Sequence, residues 1–392
     1  MDNLHERAGQ LRGDDGGESD PRTVSPKTVD LERFSIDRIQ DVLWTLTQRC
    51  NLHCTYCGVR SRGGSRPYEP TRSEVDRILE QLAELHLESL VLSGGEALLS
   101  PHIGYVLERT ASIAPVRYLI TNGTTARPRE RDLLATFRPR TMVSIDSLDE
   151  STNAKTRGDK RLAAARETVE WLLQEGIFTI VIMVLTRHNA GRVHRTIEGL
   201  YALGVRNILI QQLHCTTAKL ADSYLEALPD PGDVRRLYIW LQQFAADHPD
   251  VNIDDNEVCF FEHRPGEYAR KCLPDTRYLP QRLFMCGAGF SFFALKANGD
   301  VIPCNAFLDV VVGNVHDADI QSILENAPTM QGLRSLRCHR VDEVPGCADC
   351  AANPVCDGGC RADVFNLTGE IGNPHPCCAR VSTFYANARL AV

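Results

Sequence analysis

The chain has 392 residues, 43% apolar and 24% charged, which is the composition of a soluble globular protein with room for two compact domains and a tail. A formal net charge of -8 speaks against a basic surface for nucleic acid or anionic lipid, and no apolar run reaches the roughly 18 residues of a membrane span. The opening Met1-Asp2-Asn3-Leu4-His5-Glu6 lacks the apolar stretch of a secretion signal, so the expected compartment is the cytoplasm. There, an odd count of 15 cysteines reads as metal ligands before disulfides.

Residues 1–35 are rich in Gly, Asp, Arg and Ser without apolar periodicity. They read as a disordered lead-in with no room for a separate folded domain. From 40 to 250, short apolar runs alternate with amphipathic stretches. Strands are predicted at Val42–Leu46, Ser89–Leu92, Arg117–Ile120, Met142–Ile145, Thr179–Leu185 and Asn207–Gln211. Helices are predicted between them at 72–86, 102–112, 129–136, 161–175 and 191–203, with another near 232–246. Continuous Val/Ile/Leu strands joined by helices imply a parallel sheet covered on both faces. The predicted fold class is α/β, a partial (β/α)6 TIM-like barrel with its chemistry at the strand ends. A doubly wound open sheet is the alternative. Residues 251–285 form a bridging region. Beyond it, 286–385 form a small cysteine-rich α+β domain, with a hairpin turning at Asn298-Gly299 and a short helix at 317–327. So little apolar material needs staples, which the cysteines can supply.

The first strand runs directly into Cys50-Asn51-Leu52-His53-Cys54-Thr55-Tyr56-Cys57. Three thiolates this close converge on one cluster, and three ligands leave the fourth iron of a cubane open. A zinc knuckle would want a fourth Cys or His nearby. The spacing Cys-x3-Cys-x2-Cys after a first strand, with Tyr56 before the third Cys, resembles the radical S-adenosylmethionine superfamily. The resemblance implies a [4Fe–4S] cluster on Cys50, Cys54 and Cys57 that binds S-adenosylmethionine and cleaves it to a 5′-deoxyadenosyl radical. Ser93-Gly94-Gly95-Glu96 resembles the family's Gly-Gly-Glu segment for the methionine amino group, with Ala97 where Pro is usual. Thr121-Asn122-Gly123 and Ser144-Ile145-Asp146-Ser147 resemble segments near the ribose and carboxylate, and Arg157-Gly158 a family turn. The implied cofactor-binding residues are Tyr56, Gly94, Gly95, Glu96, Asn122, Ser144 and Asp146.

Downstream, Cys286, Cys304, Cys347, Cys350, Cys356, Cys360 and Cys377 follow one another in an order that resembles the SPASM extension, which houses two auxiliary [4Fe–4S] clusters. By resemblance Cys347, Cys350, Cys356 and Cys377 hold the outer cluster, with Cys378 able to replace Cys377. Cys286, Cys304 and Cys360 hold the inner one. Cys272 is the nearest candidate for its fourth ligand; an iron left open for substrate is the alternative. Cys259 and Cys338 read as buried thiols.

Cys215, just past the sixth strand, is a candidate hydrogen-atom donor or a packed thiol. His214, Asp222 and Tyr224 nearby are acid/base candidates. The reading is an oxidoreductase that abstracts a hydrogen atom from a ribosomally made peptide, fed by a flavodoxin- or ferredoxin-type donor. The alternatives are a dehydrogenase or epimerase of a small molecule such as a sugar, aminocyclitol or nucleoside, and a non-catalytic zinc-stabilised binding protein.

Overall fold

The computed structural model describes residues 39–59, 67–254, 286–337, 339–349 and 358–376. Their strands form one ten-stranded sheet. Its central run is β1 (Asp41–Thr45), β2 (Ser89–Ser93), β3 (Val116–Thr121), β4 (Arg140–Ser144), β5 (Thr179–Leu185) and β6 (Asn207–Gln212), close to the predicted bounds. Each strand pairs in parallel with the next. Parallel neighbours in strict sequence order are the barrel arrangement, whereas a doubly wound sheet reverses its order part-way. The sheet stays open, ending at β7 (Asn252–Asp254) beside β6. The architecture is the α/β partial barrel.

Helix α1 (Arg72–Ala83) shows why the helices form where they do. The Thr71 hydroxyl accepts from the Glu74 N–H, and the Glu74 carboxylate accepts from the Thr71 N–H, closing a capping box. Val75, Ile78, Leu79 and Leu82 then fall on one stripe and are buried against the sheet. The helices α2 (Ile103–Arg109), α3 (Pro128–Phe137), α4 (Glu150–Arg157), α5 (Leu162–Gln174), α6 (Val193–Ala202), α7 (Ala221–Ala227) and α8 (Pro231–Asp247) follow. Of these, α4 and α7 carry no apolar periodicity that would announce them. Helix α4 is instead held by its ends: Asp149 accepts from the Thr152 N–H at 2.8 Å, and Gly158 closes it at φ 74°.

The cysteine-rich region joins the same sheet. β8 (Phe292–Leu295) and β9 (Asp300–Ile302) form the predicted hairpin, with Ala294 opposite Ile302. The loop is Ala297-Asn298-Gly299, with Gly299 at φ 81°, and Lys296 and Asp300 pair across it at 2.6 Å. β8 lies parallel to β1, Asp41 facing Phe292 and Trp44 facing Leu295, so the hairpin extends the barrel sheet on its β1 side. β10 (Gly313–Asn314) adds to β9. Gln81 of α1 donates to the Val315 carbonyl and accepts from the Ile320 N–H, both at 2.7 Å. That locks α1 to α9 (Ile320–Asn326), the helix predicted at 317–327. Helices α10 (Pro328–Leu336) and α11 (Arg361–Thr368) complete the region. The lead-in, residues 255–285, and Cys259, Cys272, Cys338, Cys350, Cys356, Cys377 and Cys378 lie outside the described residues.

Candidate active site and cluster sites

Because β1 to β6 are parallel, their C-terminal ends share one rim. β1 runs into the Cys50–Cys57 loop, β2 into Gly94, β3 into Asn122, β4 into Asp146, β5 into His188 and β6 into His214. The three-thiol loop is fixed by backbone contacts. The Gly95 N–H donates to the Thr47 carbonyl at 2.7 Å and the Glu96 N–H to the Arg49 carbonyl at 2.8 Å. A side chain at Gly95 would stand 2.5 Å from the Arg49 oxygen, so only glycine permits this approach. From β3, Asn122 donates to the Asn51 side chain at 2.8 Å and lies 4.0 Å from the Cys50 sulfur.

Glu96 faces inward. Its carboxylate accepts from the Thr121 hydroxyl at 2.7 Å, the Leu98 N–H at 3.1 Å and the Asn122 N–H at 2.7 Å. Burial raises its pKa against these donors. The side chain braces Asn122 and the β3 end. Asp146 accepts from the Tyr56 hydroxyl at 2.8 Å and the Val184 N–H at 2.9 Å. Arg157 donates to the Tyr56 oxygen at 2.6 Å and pairs with Asp146 at 4.0 Å. The buried triad holds Tyr56, and with it the loop between Cys54 and Cys57. Ser144 ends β4 half-buried. A side chain at Gly158 would collide with the His53 carbonyl, so this turn lies directly against the thiol loop.

The donor set fits an iron–sulfur cluster. Burial pushes the Cys54 thiol up to about 11, Arg157 opposing and Cys57 and Cys50 adding to the rise, so its thiolate needs a further cation to balance it. The buried Nε of Arg157 has no hydrogen-bond partner among the described residues, a donor suited to the carboxylate of S-adenosylmethionine.

The second thiol group is Cys286, Cys304 and Cys360, packed around Ala288, Ala306, Phe307, Leu333 and Ala362. Burial, with the other thiols adding, pushes Cys286 up to about 11 and Cys304 higher still. Cys347 packs separately, against Val341, Val344 and Leu336.

A cavity of about 260 Å³ opens beside the first site, its wall including Tyr56, His188, His214, Tyr224 and Glu226. His188 is exposed at the cavity wall, where partial desolvation, helped by Lys155 and Arg187, lowers its pKa. His214 is the opposite case. Burial would depress it, but Cys360 and Asp363 outweigh that and hold it well above the usual imidazole range. Cys215 is fully buried, and its thiol faces the Thr217 carbonyl at 3.4 Å. It packs with Leu213 and Tyr224 and does not line the cavity, which is the packed alternative rather than the rim position. Asp222 points to solvent from α7. Neither His188 nor Asp363 was singled out from the sequence. His188 had a signal, three residues past a strand end; Asp363 had none, since α11 lacks an apolar stripe.

A family model for the radical SAM superfamily matches residues 44–200, and one for the SPASM iron–sulfur cluster-binding domain matches residues 286–351. The chain belongs to the radical SAM superfamily. It is a radical SAM enzyme with a SPASM domain, and its cofactors are [4Fe–4S] clusters and S-adenosylmethionine. Over 352 residues it is 26% identical to the AdoMet-dependent heme synthase of Methanosarcina barkeri, covering 86% of this chain and 95% of that one. Over 333 residues it is 23% identical to the antilisterial bacteriocin subtilosin biosynthesis protein AlbA of Bacillus subtilis, covering 82% and 67%. The structure of Streptococcus suis SuiB bound to the precursor peptide SuiA superposes with a TM-score of 0.70 at 16% identity, over 95% of this chain and 85% of SuiB, and so shares its fold. No helix among the described residues is long and apolar enough to cross a membrane.

Proposed function

We propose that this radical SAM/SPASM enzyme is an oxidoreductase that takes a hydrogen atom from a residue of a ribosomally made peptide. Held by Cys50, Cys54 and Cys57, the [4Fe–4S] cluster with S-adenosylmethionine supplies the 5′-deoxyadenosyl radical. We assign Cys286, Cys304 and Cys360 to an inner auxiliary cluster, and Cys347, Cys350, Cys356 and Cys377 to an outer one. Electrons enter from a flavodoxin- or ferredoxin-type donor.

The cavity carries this reading. Its wall runs from Tyr56, in the first thiol loop, to His214, beside Cys360, so a substrate group held there lies between two cluster sites. At about 260 Å³ it is smaller than the roughly 300–1,000 Å³ of pockets that enclose whole small ligands. It suits one side chain inserted from a longer substrate. His188, on the cavity wall with its pKa lowered, is placed to take the proton that leaves when the substrate is oxidised. Cys215 takes a packing role, which favours oxidation over epimerisation. The likeness to AlbA and SuiB supports a peptide.

The heme synthase relative, matched over 95% of its length, favours a second reading in which the substrate is a heme precursor. Anaerobic turnover with a candidate precursor peptide, one residue type perdeuterated at a time, separates the two. Deuterium should pass from one residue type into 5′-deoxyadenosine. Transfer from a deuterated heme precursor, with none from peptide, would select the second reading. Solvent deuterium entering the product in D2O would mark an epimerase.

A further inference from the structure

A [4Fe–4S] cubane has four irons to ligate, and the inner site brings together three cysteines, Cys286, Cys304 and Cys360, among the described residues. We propose that His214 supplies the fourth ligand through Nε2, with Asp363 as the residue that positions its ring. The proposal rests on the assignment of those three thiols to the inner cluster.

A ring nitrogen of His214, the Cys360 thiol and an Asp363 oxygen lie within 4.8 Å of one another. The His214 Nδ1 stands 3.1 Å from Asp363 Oδ2. Asp363 also accepts from the Cys215 N–H at 2.8 Å and the Tyr224 hydroxyl at 3.5 Å, and pairs with His375 at 3.6 Å. An ionised Asp363 offers only acceptors. The Nδ1 keeps the proton that faces it, and Nε2 is the nitrogen left to ligate, its proton displaced by the iron. This is how protein histidines hold metals: one nitrogen ligates while the other donates to a carboxylate that fixes the tautomer and ring plane. Asp363 is occupied on both oxygens, so its place in the trio is behind the ligand.

The fold delivers the pair as a unit. Cys360 caps α11, and Asp363 and Asn366 lie on that helix. Asn366 donates to the Cys215 carbonyl at 2.6 Å while Asp363 takes the Cys215 N–H, clamping the segment after β6 onto α11. The clamp brings His214 to Cys360. An imidazole in place of a thiolate makes a cluster less negative and raises its potential, which suits a cluster that accepts electrons from substrate.

The test uses the full chain with Cys50, Cys54 and Cys57 changed to Ala, reconstituted anaerobically, so that only the auxiliary clusters, ~8 irons, remain. Pulsed EPR of the reduced protein should show nitrogen hyperfine coupling that changes pattern when histidine alone is labelled with 15N. In His214→Cys the coupling should vanish and the midpoint potential fall, with iron kept at ~8. Full iron without histidine coupling overturns the ligand and leaves the cluster assignment standing. Loss of ~4 irons in Cys272→Ser does the same, naming Cys272 as the ligand. Protein that takes up zinc and no iron overturns both.

Discussion

Around Cys50, Cys54 and Cys57 the backbone is fixed by strand ends, whereas around Cys286, Cys304 and Cys360 it is fixed by buried polar side chains. The first loop hangs from β1 and is pinned by Thr47 and Arg49 carbonyls bonded to the β2 end, with Trp44, Leu90 and Leu92 packed beneath. The second group has a small apolar core of its own and relies on guanidinium groups. Arg334 donates to the Gly289 and Leu324 carbonyls, Arg337 to that of Cys286, and Arg361 to those of Gly358, Ile371 and Asn373. All three arginines are buried. A barrel built from sequential strands can present a metal loop without the metal. The thiol-bearing loops beside the hairpin need polar staples and their clusters to hold their shape.

The largest effect should come from removing iron. Chelation under anaerobic conditions should expose 286–376 to proteolysis while 67–254 stays resistant; equal cutting in both would mean that iron supports the two regions alike. Next, Arg361→Met strands buried carbonyls and should cost on the order of 3 kcal/mol in denaturant unfolding of the iron-loaded protein. Leu79→Ala, in the barrel core, should cost about 2–5 kcal/mol. A barrel variant that lowers auxiliary iron, with Arg361→Met leaving it unchanged, would mean that the barrel core and not the buried arginines shapes the auxiliary site. Glu96→Gln sets an amide N–H against a backbone N–H and should cost about 2 kcal/mol, with slower 5′-deoxyadenosine formation as Asn122 shifts. The smallest effect is that of Cys215→Ala. It should cost about 1 kcal/mol and leave the isotope pattern of the product unchanged in D2O, whereas a lost solvent-deuterium signal would restore Cys215 as a hydrogen donor.

The barrel was legible because each strand is a short apolar run and most helices carry an apolar stripe, as Val75, Ile78, Leu79 and Leu82 do. Helix α4 was not, since Glu-Ser-Thr-Asn-Ala-Lys-Thr-Arg has no apolar face and depends on Asp149 and Gly158 at its ends. Helix α11 was hidden for a related reason: it buries Arg361, Asp363 and Asn366, which sequence periodicity counts as exposed. Close spacing picked out Cys50, Cys54 and Cys57, whereas Cys286, Cys304 and Cys360, far apart in the chain, were grouped only by resemblance to the SPASM extension. Spacing could not show that β8 would pair with β1, a contact between residues about 250 apart in the chain. Position past a strand end suggested a rim role for Cys215; the turn that follows directs its side chain inward to Thr217.

A radical reaction started at the Cys50–Cys57 loop, in an enzyme wired to further clusters, has a direct signature. Reconstituted full-length protein, reduced anaerobically with S-adenosylmethionine, should hold ~12 irons and release 5′-deoxyadenosine, and the Cys50, Cys54 and Cys57 to Ala variant should hold ~8 and release none. A wild-type protein that carries zinc, or that holds iron and leaves S-adenosylmethionine intact, would contradict it.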